Sequence, residues 1–320
     1  MFNIARTARL MAFGLCVAGG MAVAAEGPES DEPIKVILND WTGQYVSAKI
    51  AGELLKKMGY NIEYVSAGAI PQHAGLSQGN LHFQAEVWSN NVGDIYPKAV
   101  EKGDIVEIGE LGLDAWQDWM YPAYLEEKCP SLPSHTALWD CAQLFATAET
   151  FPKGRLITYP ADWGTRSRDL VEAIDLPYEP IPGGSEGAMM AEIQSAYAVE
   201  EPILIMWWAP HWVFAEHDFK WIEWHESWGK CDTLEEQDSQ TPDNMCGFEQ
   251  PTVVKVVWSG FEDKWPAAYR MLLLYEQTNA DQNAAILEID QKGRDLDEVV
   301  EEWLANNEDR WKVWIDEAMQ

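Results

Sequence analysis

The sequence predicts an α/β protein whose two lobes close on a ligand held between them. Three observations support this prediction: strand and helix patterns alternate in two separate units, an irregular stretch divides the units, and four predicted strands lead directly into tryptophan. Strands that alternate with helices form parallel sheets covered by those helices. The 320 residues are enough for one large or two ordinary domains with a sizeable core.

The chain begins with the three-part pattern of a secretory signal. Two arginines precede an apolar stretch at residues 10–23, and the small residues Ala24 and Ala25 follow it. We therefore expect residues 1–25 to be a cleaved signal peptide and the mature protein to be exported. A buried N-terminal helix is the alternative interpretation of the apolar stretch.

The first alternating unit starts with a short β-rich run, Ile34–Leu38. Apolar side chains at helical spacing then predict a helix over residues 43–58. Further strands are expected at residues 62–65 and 81–87, and a helix at residues 94–102. The order of these elements is typical of a parallel sheet.

The second unit lies between residues 155 and 207 and follows the same order. Its predicted elements are strand 155–159, helix 166–174, strand 178–181, helix 186–199 and strand 203–207. The C-terminal part of the chain is predicted to be helical at residues 260–277, 279–292 and 296–314.

The alternation is interrupted twice, and at these places we expect the chain to cross between the lobes. The interruptions lie near residues 113–119 and 214–221. Lobe I is therefore predicted at residues 26–115 and 220–320, and lobe II at residues 116–219.

The cysteines predict two disulfide bonds. Cys16 lies in the signal peptide, which leaves four cysteines, an even number, in an exported chain. Of the three possible pairings we expect the local one, Cys129 with Cys141 and Cys231 with Cys246. A zinc site is the weaker alternative, because no cysteine has a partner at the short spacing that structural zinc sites use.

Residues 225–250 form an acidic, turn-rich insertion around the second cysteine pair. Carboxylate oxygens are preferred ligands of Ca2+, and Asp232, Asp243 and Glu249 are the candidates to bind it. The segment lacks the EF-hand pattern, so a solvated acidic loop is the alternative. We expect no other cofactor.

The charge balance excludes several classes of partner. The chain has 53 acidic and 22 basic residues, a formal net charge of −31 and an isoelectric point near 4.3. Nucleic acid and anionic membrane surfaces are recognised by basic patches, so neither is an expected partner. Hydrophobic residues make up 47 % of the chain, which is too much for a disordered acidic tail.

The tryptophans carry the functional prediction. Four of the 17 follow predicted strands directly, two in each unit: Trp41, Trp88, Trp163 and Trp208. Ligands of open α/β sheets bind outside the carboxyl ends of the strands, so we expect these four indoles to face one cleft. A cage of indole faces suits a quaternary ammonium, which it attracts by cation–π contact.

A sugar that stacks on the same indoles is the alternative ligand, and the protein would then be a secreted glycoside hydrolase with tryptophan platforms. Sugar sites need many hydrogen-bonding side chains, and the stretches around the four tryptophans offer few. Residues 183–187 also fit the G-x-S-x-G pattern of serine hydrolases. Pro180 and Pro182 precede that segment, so we expect Ser185 to be a helix N-cap instead.

Six short motifs occur in order along the chain: Asp40-Trp41, Glu86-Val87-Trp88, Trp119-Met120-Tyr121-Pro122, Trp163-Gly164-Thr165, Gly184-Ser185-Glu186 and Trp208-Ala209-Pro210-His211-Trp212. In this order they resemble the periplasmic substrate-binding proteins of ABC transporters for glycine betaine, choline and related trimethylated amines. The resemblance covers residues 34–314. It implies a monomeric, non-catalytic periplasmic receptor with the two-lobe fold of type II binding proteins, which delivers its ligand to a membrane permease.

The resemblance also implies the roles of individual residues. The four strand-end tryptophans become an aromatic box, with Trp119 as a fifth wall and Glu86 as a counter-charge. Some betaine binders carry a histidine four residues after the first box tryptophan, where this chain has Tyr45. Choline binders tend to carry an acid two residues after it, where this chain has Gly43.

Trimethylamine N-oxide needs the cage and little else, because a single oxygen replaces the longer tail of the other amines. The disulfide-closed insertion is also similar to that of the trimethylamine-N-oxide branch of the family. We therefore expect trimethylamine N-oxide as the ligand, with glycine betaine and choline as alternatives.

Overall fold

The computed structural model describes residues 28–224 and 231–320. The predicted signal peptide, residues 1–25, lies outside the described residues, as do residues 225–230 of the insertion. Within the two described ranges, no helix is both long enough and apolar enough to cross a membrane.

Ten strands are present in the described ranges. They are β1 Ile34–Leu38, β2 Ile62–Ser66, β3 Phe83–Trp88, β4 Ile105–Glu110, β5 Trp116–Pro122, β6 Gly154–Thr158, β7 Tyr178–Pro182, β8 Ile205–Ala209, β9 Phe219–Trp221 and β10 Val253–Trp258.

The same residues form thirteen α-helices, several of a single turn. They are α1 Thr42–Lys57, α2 Gln72–Ser77, α3 Ile95–Lys102, α4 Ala137–Asp140, α5 Arg166–Ala173, α6 Glu186–Val199, α7 Val213–Glu216, α8 Leu234–Asp238, α9 Phe261–Lys264, α10 Pro266–Leu274, α11 Asn279–Ile286, α12 Leu296–Asn306 and α13 Glu308–Ala318. Short 3-10 segments lie at Ala123–Glu127 and Ala142–Phe145, and a π-helical turn, Leu287–Gln291, follows α11.

The strands form two five-stranded sheets, one in each lobe. The strand order is β2-β1-β3-β10-β4 in lobe I and β7-β6-β8-β5-β9 in lobe II. In each sheet four strands run in one direction, and β10 or β5 runs antiparallel between two of them. The predicted two-lobe α/β fold is confirmed, but each sheet is mixed, whereas the alternation predicted parallel sheets.

The antiparallel strands follow from the path of the chain between the lobes. β5 is the first strand after the chain enters lobe II, and β10 is the first after it returns to lobe I. The other strands end at the cleft, whereas a strand that enters from the opposite lobe starts there. It therefore runs against its neighbours.

The return to lobe I lies later in the chain than the sequence predicted. β9 pairs with β5 in the lobe II sheet, and Phe248 packs edge to face on Trp119 with ring centroids 5.7 Å apart. Residues 220–224 and Phe248 therefore pack with lobe II, whereas the sequence predicted them in lobe I, because they complete the sheet and core of lobe II. The first crossing, between β4 and β5, overlaps the predicted region.

α1 places the first box tryptophan at the cleft. The apolar face that its sequence predicted covers the lobe I sheet, and Ile50, Leu54 and Leu55 are fully buried. The helix ends at Lys57, and Gly59 adopts a φ of +98°, a conformation that glycine tolerates best. Its other end starts at Thr42, so Trp41 stands between β1 and the first turn.

Both predicted disulfides are present, Cys129–Cys141 and Cys231–Cys246. The first closes part of the irregular stretch on lobe II. The second closes the insertion, where the side-chain oxygen of Gln240 also accepts a 2.8 Å hydrogen bond from the amide of Cys246.

Candidate functional site

Four tryptophans from separate strand ends line one cavity between the lobes. Trp41 follows β1, Trp88 ends β3, Trp163 follows β6 and Trp208 lies in β8. All four line the same cavity, whose volume is about 50 Å³. The structure therefore brings together the four residues that the sequence predicted to form a box.

The rings meet edge to face across the cleft. The centroid of Trp163 lies 5.1 Å from that of Trp41 in the opposite lobe and 5.6 Å from that of Trp208. Tyr159 lies 5.6 Å from Trp163 and 5.8 Å from Trp208, and it also lines the cavity. Sequence reasoning missed Tyr159, although it stands at the end of a predicted strand, as the tryptophans do.

Glu86 anchors two of the box indoles. Its Oε1 accepts hydrogen bonds from Nε1 of Trp41 at 2.8 Å and of Trp88 at 3.0 Å. Its Oε2 accepts from Ser47 Oγ and Gln282 Nε2, each at 2.9 Å. Burial raises the pKa of Glu86, and these four hydrogen bonds oppose that shift.

The position of Glu86 is compatible with its predicted role as a counter-charge. Its side chain belongs to the cavity wall as well as to the network behind the indoles. The carboxylate therefore lies close to any cation held by the box while it fixes the orientation of two indole faces.

Trp163 is held by residues of the opposite lobe. Its Nε1 donates a 2.5 Å hydrogen bond to Oδ1 of Asp40, and its backbone carbonyl accepts one from the side-chain amide of Asn91. Both partners lie in lobe I, so these bonds exist only when the lobes are together. The structure is that of a closed cleft.

Trp119, which the resemblance placed as a fifth wall, does not line the cavity. Its ring is fully buried in lobe II, where it packs on Trp224 with centroids 5.2 Å apart and donates from Nε1 to Ser167 Oγ at 2.8 Å. β5 starts at the cleft and runs away from it. Gln117, nearer the start of β5, lines the cavity, whereas Trp119 lies deeper in the core.

The polar side chains of the wall are largely bonded to one another. Tyr159 donates to Oε1 of Gln117 at 2.9 Å, and the amide of Gln117 donates to Asn90. Burial lowers the pKa of His73 to about 4, so this residue is neutral near pH 7. Most of the hydrogen-bonding groups of the wall thus have partners, with Nδ1 of His73 an exception, and such a wall suits a ligand that is mostly methyl groups.

The predicted Ca2+ ligands do not come together. Asp232, Asp243 and Glu249 form no shared group, and in the part of the chain that the structure describes the single group of three potential metal ligands is Glu186, His211 and Asp290. The backbone amide of Asp232 instead binds the side chain of Glu236 at 2.7 Å. A Ca2+ site in the insertion therefore stays a prediction, with the solvated acidic loop as its alternative.

Comparison with known proteins gives one family. Residues 32–306 match the family described as the substrate binding domain of ABC-type glycine betaine transport system. A trimethylamine N-oxide-binding protein of Pelagibacter ubique (strain HTCC1062) is 26 % identical over 292 residues, which cover 88 % of this chain and 90 % of the relative.

Solved structures with the same fold include two ligand complexes. Lactococcal OpuAC, closed on glycine betaine, gives a TM-score of 0.71 at 18 % identity and covers 89 % of this chain and 100 % of its own. An ABC-transporter choline binding protein in complex with choline gives 0.70 at 14 % identity and covers 89 % of this chain and 98 % of its own. At these identities the likeness establishes the fold.

Proposed function

Because the chain belongs to the family of substrate-binding domains of ABC-type glycine betaine transport systems, we propose that it binds trimethylamine N-oxide in the tryptophan box. Members of this family are extracytoplasmic binding proteins that work with an ABC permease, and they are not enzymes. The glycoside hydrolase alternative has no support from the family or from the fold. We further propose that this protein acts in the periplasm as a monomer.

The observation that carries the proposal is the box itself. Four indoles and Tyr159 surround one cavity, and Glu86 lies in its wall. A trimethylated nitrogen is too hydrophobic to be tightly hydrated and has no N–H to donate, so cation–π contact is its main polar attraction. Each desolvated aromatic face contributes about 2 kcal/mol, and several together supply much of the ~8 kcal/mol of a micromolar complex.

Two positions favour trimethylamine N-oxide over its relatives. Gly43 and Tyr45 stand where choline and betaine binders of the family tend to carry an acid and a histidine. The relative that matches most of the chain is named for trimethylamine N-oxide. Trimethylamine N-oxide carries a single oxygen in place of the longer tail of glycine betaine or choline. It therefore needs neither the acid nor the histidine.

Calorimetric titration of the purified protein with trimethylamine N-oxide, glycine betaine, choline and a panel of sugars tests the proposal. We expect trimethylamine N-oxide to bind most tightly and the sugars not to bind. Tighter binding of glycine betaine or choline would correct the ligand within the family. Binding of an oligosaccharide without binding of any amine would overturn the function.

A further inference from the structure

A carboxylate of lobe II caps the helix that follows the first box tryptophan in lobe I. Glu186 begins α6, and its Oε2 accepts a 2.7 Å hydrogen bond from the backbone N–H of Thr42, the first residue of α1. Trp41, the N-cap of α1, makes no side-chain cap bond, and the first turn of α1 has no acidic residue. The start of α1 therefore takes its negatively charged partner from the opposite lobe.

Glu186 also reaches the box from the lobe II side. Its Oε1 lies 3.3 Å from Nε2 of His211, slightly longer than a typical hydrogen bond. His211 packs edge-on against Trp208 with ring centroids 5.4 Å apart. Glu186 thus connects the supports of two box tryptophans, Trp41 and Trp208, that belong to different lobes.

Asp290 brings a second carboxylate to the same place. It lies in the π-helical turn of lobe I, where its Oδ1 accepts a 2.7 Å hydrogen bond from Thr42 Oγ1. Side-chain atoms of Asp290, Glu186 and His211 lie within 4.8 Å of one another. Two carboxylates this close repel each other unless a proton or a cation is shared between them. Because they belong to opposite lobes, they meet when the lobes close.

The orientation of His211 favours a proton over a metal. A histidine that binds a metal through one ring nitrogen donates the hydrogen on the other to an acceptor. Here Nδ1 of His211 accepts a 3.2 Å hydrogen bond from the backbone N–H of Val213, which places a hydrogen on Nε2, although that nitrogen lies 3.3 Å from Oε1 of Glu186 without a hydrogen bond to it. The same nitrogen cannot offer a lone pair to a metal.

We propose that Glu186 is a positioning residue that links ligand binding to lobe closure, and that a proton taken up at Asp290 strengthens this link. The proposal rests on the proposed function, since the closure in question is closure around the amine. In this proposal Glu186, His211 and Asp290 support the box and do not contact the ligand.

The charges around Asp290 give the direction of the pH effect. Desolvation of the carboxyl group first, and then the Glu186 carboxylate, raise the pKa of Asp290 to about 6, although the residue as a whole is exposed to solvent; the hydrogen bond from Thr42 opposes this shift. Tyr45 of α1 also faces Glu186, and burial raises its pKa, so it remains neutral over this range. An open cleft separates Asp290 from Glu186, so closure takes up a proton and ligand binding strengthens as the pH falls towards 6.

Calorimetric titration with trimethylamine N-oxide between about pH 8 and about pH 6 tests the link. The variants are Glu186→Ala, Asp290→Asn and, as a charge-matched control, Glu301→Gln at an exposed position of α12. Titration of the ligand itself affects all of them alike. We expect the wild-type Kd to fall about twofold over this range, and the control to behave identically.

Asp290→Asn should bind at the higher pH at least as tightly as the wild type does at the lower pH, with no remaining pH dependence. Glu186→Ala should bind at least about fivefold more weakly at every pH and should show a weaker pH dependence, because Asp290 then faces no carboxylate and only its desolvation still raises its pKa. A cooperative thermal transition for each variant confirms that it is folded.

Two results would overturn the inference: wild-type affinity and pH dependence in Glu186→Ala, or an unchanged pH dependence in Asp290→Asn. The second result together with loss of the pH dependence in His211→Gln would place the proton on the histidine. If the wild type binds no trimethylated amine, the proposed function itself is wrong. If the wild type binds and the variants do not differ from it, only the present inference is wrong.

Discussion

At the scale of single residues, the box depends on carboxylates that hold the indoles from behind. Glu86 binds the N–H groups of Trp41 and Trp88, and Asp40 binds that of Trp163. Trp208 is supported differently, by stacking on Trp207 with ring centroids 4.6 Å apart. Each support fixes the direction of a ring face, and cation–π attraction depends on that direction.

We expect alanine at any of the four box positions, Trp41, Trp88, Trp163 or Trp208, to weaken binding of trimethylamine N-oxide by more than about 1 kcal/mol, because a desolvated aromatic face is lost. Calorimetry measures the change. Trp139→Ala is the matched control, since Trp139 is half-buried on α4 and does not line the cavity. Wild-type affinity in any two of the box variants would contradict the box.

A second residue-scale prediction concerns the pH dependence of stability. Asp118 is buried in lobe II, where its two oxygens lie 3.0 and 3.1 Å from Nε1 of Trp224. Burial raises the pKa of Asp118 to about 8. The folded protein therefore keeps a proton that the unfolded chain releases near pH 4. As a result, the free energy of unfolding falls as the pH rises from about 4 to about 8, by up to about 1.4 kcal/mol per pH unit.

Asp118→Asn keeps an oxygen for Trp224 and removes the charge. We expect urea unfolding of this variant to depend less on pH than that of the wild type, with the largest relative gain in stability near pH 8. An equally steep fall in both proteins would show that Asp118 is ionised in the folded state.

The sequence predicted a site residue correctly where it also predicted the direction of the strand that carries the residue. Box positions at the carboxyl ends of parallel strands follow from a general rule for α/β sheets. Trp119 lies on β5, whose opposite direction is set by the crossing between lobes and is not visible in the local pattern. The family resemblance assigned Trp119 to the wall, whereas in the structure it lies two residues beyond the cavity residue Gln117, in the core.

At the scale of elements, the strands that the sequence pattern missed are those whose polar residues obscure the β signal. β10 carries Lys255 in its centre, yet this side chain is fully buried. Its ammonium donates to the carbonyls of Leu273 at 3.1 Å and of Tyr275, and burial lowers its pKa to about 8. A lysine with tertiary partners cannot be recognised from the sequence of its own strand.

β4, β5 and β9 were missed for a related reason. β4 contains two glutamates, β5 contains Gln117 and Asp118, and β9 is three residues long. The helices α1 and α6 and the strands β1, β3, β6 and β8 were predicted, because their apolar residues follow the helical or strand period without interruption. Ser185 also caps α6, as predicted, by accepting a hydrogen bond from the amide of Ala188.

The described part of the insertion packs on lobe II and does not line the cavity. Phe248 is buried there, and a Cβ at Gly247 would lie 2.2 Å from the ring of Trp224. None of the residues that line the cavity belongs to the described part of the insertion.

We expect replacement of Cys231 and Cys246 by serine to lower the free energy of unfolding by about 3 kcal/mol, because the unfolded chain gains freedom. The Kd for trimethylamine N-oxide should remain within a few-fold of wild type. Urea unfolding and calorimetry measure the two effects. Loss of amine binding in a variant that still unfolds cooperatively would show that the insertion shapes the cavity, and a chelator that lowers the wild-type thermal midpoint would support the Ca2+ prediction.

At the scale of the whole molecule, the lobes are joined by two crossings and by a small set of polar contacts. The chain crosses at residues 111–115 and again just before Val253. The contacts across the cleft include Asp40 with Trp163 and Thr42 with Glu186. A ligand that fills the box adds contacts to both lobes and so favours the closed form over an open one, which is the behaviour expected of hinged binding proteins.

We expect small-angle scattering to show a larger radius of gyration without ligand than with saturating trimethylamine N-oxide, because the open lobes separate about the two crossings. Asp40→Ala removes an acceptor that joins the lobes, so it should need more ligand for the same compaction, whereas Trp139→Ala should follow the wild type. Binding is measured by calorimetry in the same samples. Calorimetry shows whether a sample is saturated with ligand. If the scattering profile of a saturated sample is unchanged, the ligand enters a cleft that is already closed. The supports of Trp163 would then hold the box independently of the ligand.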